Sequence, residues 1–122
     1  MPFVEGFINE DGFACCSVRV EGLRRPVIVA IDTGFEGDIQ LLRDFLPESL
    51  GELLTRSAPW VMGSGTPEIL DETDRNVEWF GRRRLVQILI TPGGRPRLGL
   101  GLLRGCRLSI DFRLRTVRIE RE

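Results

Sequence analysis

The stretch 27–39, VIVAIDTGFEGDI, constrains this chain more than any other. Val27, Ile28, Val29, Ala30 and Ile31 form an unbroken apolar run, largely β-branched. Such side chains are stiff at χ1 and suit a pleated surface, so the run reads as a short strand covered on both faces. It passes directly into Asp32-Thr33-Gly34, followed by Phe35, Glu36 and Asp38. A carboxylate kept at the end of a buried strand costs free energy unless it is hydrogen-bonded or reaches water. Asp-Thr-Gly is good turn material, because Asp accepts from nearby backbone N–H groups and Gly turns freely. Local chemistry alone leaves a turn and a reactive carboxylate equally open.

The remaining sequence narrows the chemistry. At 122 residues the chain is expected to form one domain, 1–122, large enough to bury a core without disulfides. A formal net charge of −1 gives no overall field toward nucleic acid or an anionic membrane, and neither partner is expected. The start, MPFVEGFINEDG, lacks the basic residues and apolar run of a secretory signal, and no segment reaches transmembrane length. Cys15, Cys16 and Cys106 are an odd set with an adjacent pair, a poor disulfide framework, so a reducing, cytoplasmic location is expected. With no histidine, Ser-His-Asp, Cys-His and His-ligated metal chemistry are excluded, and the cysteine spacing matches no zinc motif. No metal or cofactor is expected. Catalysis is left to carboxylates, thiols, backbone and basic groups other than lysine, which the chain lacks.

Periodicity predicts mainly short strands: 3–8, then 14–21 alternating around Val18 and Val20, then 27–31. Over 39–54 the spacing of Leu42, Phe45, Leu46, Leu50, Leu53 and Leu54 predicts one or two helical turns, with Pro47 tolerable at a first turn. Strands resume at 60–62, 68–70 and 77–80, with a polar turn at 71–76, and a strong strand follows at 84–91. Residues 98–103 suit a short helical turn. Residues 106–112 alternate, with Cys106, Leu108, Ile110 and Phe112 inward, and 116–120 repeat the pattern. The fold class is all-β with one or two short helices.

In that order the elements resemble the retropepsin-like (clan AA) aspartic proteases, in their small, single-domain bacterial form. Ile31-Asp32-Thr33-Gly34 at the end of an apolar strand is similar to the family's active-site signature. A glycine-containing hairpin over 60–80 sits where the family carries its flap, and Leu98-Gly99 with Leu102-Leu103 resembles its second-half motif. The strand from Cys106 to Phe112 resembles the one that follows there, so the likeness spans essentially the whole chain. Three positions depart from common family patterns: Phe35 after the signature glycine, Leu100-Gly101 in place of a charged or polar pair, and Arg97 in place of an aliphatic residue.

The resemblance implies a closed barrel or sandwich with a flap, and a peptide-hydrolysing homodimer without cofactor. Hydrolysis without metal or nucleophilic side chain needs one carboxylate to take a proton from water and another, protonated, to polarise the carbonyl. Carboxylates about 3 Å apart share a proton because both cannot ionise easily, as in the paired aspartates of aspartic proteases. With one signature aspartate per chain, the partner of Asp32 is expected to be Asp32 of a second copy across a two-fold axis. The implied catalytic loop is Asp32, Thr33 and Gly34, with Thr33 hydrogen-bonding between the two loops and Gly34 donating its N–H. Phe35 and the flap residues Met62, Gly63, Ser64 and Gly65 are the expected contacts to a peptide or protein substrate, which would pair by strand addition.

Plainer readings stand beside these. The same fold can serve as a non-catalytic dimerisation or peptide-binding module, a reading that Phe35 motivates. A small β-barrel with a coincidental signature is a third. Glu36 and Asp38 are expected in a solvated loop, and Asp111 on the outer side of its strand. Arg82-Arg83-Arg84 is expected as a charged hairpin face, offset by nearby acids. Leu98-Gly99-Leu100-Gly101 lacks the long helix of a nucleotide loop. One of Cys15 and Cys16 is expected to be buried packing, and Trp60 and Trp79 either line a cleft or pack in the core or an interface.

Overall fold

The computed structural model describes residues 3–46, 55–61 and 65–121. Among these residues ten strands form one sheet: β1 (Phe3–Ile8), β2 (Ala14–Val18), β3 (Val27–Ile31), β4 (Ile39–Leu42), β5 (Arg56–Val61), β6 (Pro67–Trp79), β7 (Arg82–Thr91), β8 (Arg97–Leu98), β9 (Cys106–Asp111) and β10 (Thr116–Arg121). Among the described residues a 3₁₀ turn covers Arg43–Phe45 and a short helix, α1, covers Leu100–Leu103. The strand order is β5-β6-β7-β4-β8-β3-β2-β1-β10-β9. The all-β class is as expected, but among the described residues the sheet is not closed into the expected barrel: β5 and β9 are its two edges. Among the described residues no helix is long and apolar enough to cross a membrane.

Several local expectations yield to pairing partners distant in sequence. The predicted helix over 39–54 begins instead as β4, which lies parallel to β7 and antiparallel to β8. Ile39 and Leu41 are fully buried and Gln40 nearly so, because this strand is enclosed between two others. The helical spacing of Leu42, Phe45 and Leu46 arises from a strand end running into a single 3₁₀ turn. Pro47, Leu50, Leu53 and Leu54 lie outside the described residues.

The polar turn expected at 71–76 is absent, and β6 runs through it unbroken. Its acids are met across the sheet. Arg56 on β5 donates to Glu72 at 3.0 Å and to both oxygens of Asp74 at 2.9 and 3.1 Å, and Ser57 donates to Asp71 at 3.1 Å. Arg43 also pairs with Asp71. The Arg56 guanidinium holds the Asp74 carboxyl below its usual range. The turn falls instead at Phe80-Gly81, where φ values of 55° and 75° close a two-residue hairpin between β6 and β7.

Two apolar runs are less covered than their patterns suggest. In β3, Val29 is wholly buried but Ile28 is 55 % exposed, so this strand is covered on one face only. On edge strand β9, Leu108 packs against the core while Ile110 is partly exposed, and Phe112 lies beyond the strand in an open turn. Asp111 does face outward, and its Oδ1 closes that turn by accepting the N–H groups of Arg113 and Leu114, both at 2.9 Å.

The main core joins Val29, Ile39, Leu41, Ile88, Leu98, Leu102 and Ile119 with Trp79, Phe80 and Cys16. Cys15 and Cys16 are buried free thiols, as packing requires. Burial pushes the Cys16 thiol up to about 12, with a smaller push from Cys15. An unfolded chain gives up that proton near the ordinary value of 9.0, so stability should hold below that pH and fall above it as the unfolded state alone ionises. At pH 10 this thiol should cost about 1 kcal/mol relative to pH 8. Urea unfolding at both pH values should show wild type losing that much more than Cys16→Ala.

Candidate active site

Asp32 follows directly on β3, and its position is set by the strand beside it. β8 pairs parallel to β3, with Ile31 opposite Leu98, and the Asp32 N–H donates to the Leu98 carbonyl at 2.9 Å. The Asp32 carboxylate then bends back on its own turn. Its Oδ1 accepts the Gly34 N–H at 2.8 Å, and the Phe35 N–H donates to the Asp32 carbonyl at 3.2 Å. A Cβ at position 34 would stand 3.2 Å from Oδ1, tighter than most such contacts, so glycine suits this close approach.

A second layer clamps the loop. The N–H groups of Gly99, Leu100 and Gly101 donate to the carbonyls of Asp38, Phe35 and Gly37 at 2.9, 2.8 and 3.0 Å. The glycines of Leu98-Gly99-Leu100-Gly101 therefore serve the signature loop, and these amides have no capacity left for a phosphate. Asp38 is partly buried rather than solvated: its Oδ2 accepts the Gln87 N–H at 2.9 Å, tying the loop to β7. Glu36 stays exposed.

A cleft of about 770 Å³ opens over this turn, with Asp32, Phe35, Glu36, Trp60, Gln87 and Arg97 on its wall. The side chain of Asp32 is 32 % exposed into it. Trp60 on β5 packs against Phe35, with ring centroids 5.9 Å apart, and its indole N–H donates to Glu72 at 2.8 Å. Phe35 itself is buried with Leu70 and Leu89, and this apolar cluster, with Trp60 packed against it, forms a floor to the cleft. Trp60 is thus a cleft residue, while Trp79 belongs to the core.

Of the predicted site residues, Asp32, Gly34 and Phe35 meet in the cleft. Thr33 lies between them with an exposed side chain. Gly65 sits in the β5–β6 connection with φ of 78°, outside the cleft lining. Met62, Gly63 and Ser64 lie outside the described residues. The cleft residue that sequence reasoning does not place beside Asp32 is Arg97, whose Nη1 stands 3.2 Å from Asp32 Oδ2. Its one signal is an arginine where an aliphatic residue is usual.

No family model and no curated protein matches the chain. Among solved structures, it is similar to a retropepsin-like aspartic protease from Rickettsia conorii, at 19 % identity over 98 % of this chain and 90 % of that one, with a TM-score of 0.68. It is also similar to EIAV protease in complex with the inhibitor HBY-793, at 18 % identity over 79 % of this chain and 89 % of that one, with a TM-score of 0.57. The chain has the retropepsin-like fold.

Proposed function

We propose that this protein is a homodimeric aspartic endopeptidase. The observation that carries the reading is the Asp32 carboxylate, pinned by the Gly34 N–H yet open to a cleft of about 770 Å³. Asp32 of each copy contributes one half of the dyad. The ionised member takes a proton from water, the oxygen of that water bonds to the scissile carbonyl carbon, and the protonated member stabilises the oxygen that gains charge. The C–N bond then breaks, and the proton passes to the leaving amine. Thr33 ties the two loops together, Gly34 braces the carboxylate, and Phe35 supports the substrate from below.

The β5–β6 hairpin acts as the flap that shuts water out, and Met62, Gly63, Ser64 and Gly65 supply its contacts to the substrate. Exposed Phe112 and Leu114, beyond edge strand β9, support burial against a second copy. The three unpaired thiols support a reducing compartment such as the cytoplasm. A second reading, a non-catalytic peptide-binding or dimerisation module, draws on the Arg97–Asp32 ion pair, which occupies one carboxylate oxygen.

Titration with a statine-containing peptide, whose hydroxyl mimics the tetrahedral intermediate, separates the two. Calorimetry should give one peptide per two chains, and sedimentation should give a dimer. A monomer without binding would remove the dyad, and a dimer indifferent to the statine hydroxyl would favour the module.

A further inference from the structure

We infer that Arg97 makes this cleft selective for acidic side chains, acting as a specificity-determining residue beside Asp32; the inference rests on the proposed dyad. Arg97 is the one cation among the described residues lining the cleft. It is not a surface arginine of chance orientation. β8 lies between β3 and β4 in the sheet, with Arg97 opposite Ala30 on one side and Gln40 on the other. Residues directly opposite in a ladder share a face, and Asp32 is two residues past Ala30, so the register itself sends Arg97 and Asp32 to the same side. The result is the 3.2 Å ion pair, with the Arg97 side chain 35 % exposed.

The charge count argues for a third partner. Across a two-fold axis the site holds two guanidiniums and two Asp32 carboxylates, and the reaction requires one of those carboxyls to carry a proton. That leaves one positive charge in excess among the Asp32 and Arg97 side chains. The other acids on the wall do not cancel it: Glu72 is met by Arg56 at 3.0 Å and by the Trp60 N–H, and Glu36 is exposed to solvent. A guanidinium offers five N–H donors in a planar fork, which suits a carboxylate held by two bonds. An Asp or Glu side chain next to the scissile bond would supply the missing anion. An apolar or basic side chain would leave the guanidinium on Asp32, where it competes with the dyad.

Binding is best read in the Asp32→Asn background, which cannot turn peptides over. The probes are dye-labelled Ala/Ser decapeptides, blocked at the C-terminus, with a single central Glu, Gln or Leu. A fourth carries central Leu and a free C-terminal carboxylate. Fluorescence anisotropy should show the Glu peptide binding at least roughly tenfold tighter than its Gln isostere. Adding Arg97→Gln should bring that ratio close to one, and Arg97→Lys should restore part of it. Equal affinities for Glu and Gln, or a preference that survives Arg97→Gln, would overturn the inference. So would tightest binding of the free-carboxylate peptide, which would assign Arg97 to chain termini. Wild-type digestion of the same peptides keeps the two ideas apart. Acid-selective binding without cleavage removes the peptidase and leaves this inference standing, whereas cleavage without acidic preference does the reverse.

Discussion

Asparagine in place of Asp32 should lower cleavage of an unfolded protein such as casein by about 10²–10⁴-fold or more, because a group that cannot exchange a proton removes acid and base from the dyad together. The fold should survive. Asn keeps an oxygen that can accept the Gly34 N–H, so the turn retains its 2.8 Å hydrogen bond. What it loses is the ion pair to Arg97, whose partners are each about one-third exposed. Pairs of that kind are worth about 0–1 kcal/mol, so the melting temperature should move by a few degrees at most. A mixed population sharpens the test. If the site is shared across a two-fold axis, co-folding equal amounts of wild type and variant should leave roughly a quarter of dimers with two aspartates. Activity falling to one quarter supports a shared dyad. Activity falling only to one half would mean that each chain carries a complete site of its own.

The parts of this site that are legible in the sequence are those whose chemistry is local. An apolar strand must end somewhere, Asp-Thr-Gly closes a turn on itself, and the Asp32–Gly34 hydrogen bond spans two residues. The pattern at 106–112 likewise reports a real strand, although its outer end is uncovered. Where sequence reading fails, the deciding partner is remote. The acids of β6 look like turn residues until Arg56 and Ser57 are laid beside them. β4 carries helical spacing, and only its enclosure between β7 and β8 makes it a strand. Arg97 stands out as an odd residue in the sequence, but its meeting with Asp32 depends on the parallel register of β3 and β8. Phe35 stands out in the sequence as a departure after the signature glycine, but its burial among Trp60, Leu70 and Leu89 depends on strands remote from it.

Gly99→Ala should be severely damaging, because the added methyl group meets backbone beside the site. A Cβ there would lie 2.3 Å from the Gly37 carbonyl oxygen, 2.5 Å from that of Phe35 and 2.6 Å from the Phe35 ring. The backbone angles of Gly99, φ −114° and ψ −171°, are open to any residue, so the penalty is wholly steric. Two of the three obstructing atoms are backbone oxygens, which cannot swing aside as a long side chain would. The loop and the start of α1 must separate, which breaks the bonds from Leu100 to Phe35 and from Gly101 to Gly37. Overpacking of about 1–3 kcal/mol together with about 1 kcal/mol for each lost hydrogen bond gives a loss of roughly 3–5 kcal/mol. That is a large share of the stability of about 5–15 kcal/mol typical of a domain, and it should lower the melting temperature by about 10–20 °C. Gly93→Ala is the control, since a Cβ there meets nothing within 4 Å, and its effect should stay within about 0.5 kcal/mol. The loss at Gly99 should reach the chemistry before it reaches the fold. Asp32 hangs from Leu98 by its own N–H, so displacing the next residue loosens the carboxylate at temperatures where the sheet is still intact. Urea melts of both variants beside their casein cleavage should show Gly99→Ala losing activity at denaturant concentrations where its circular dichroism is still native. Equal melts for the two alanine variants would mean that the clamp yields, and that Asp32 is held by its own turn alone.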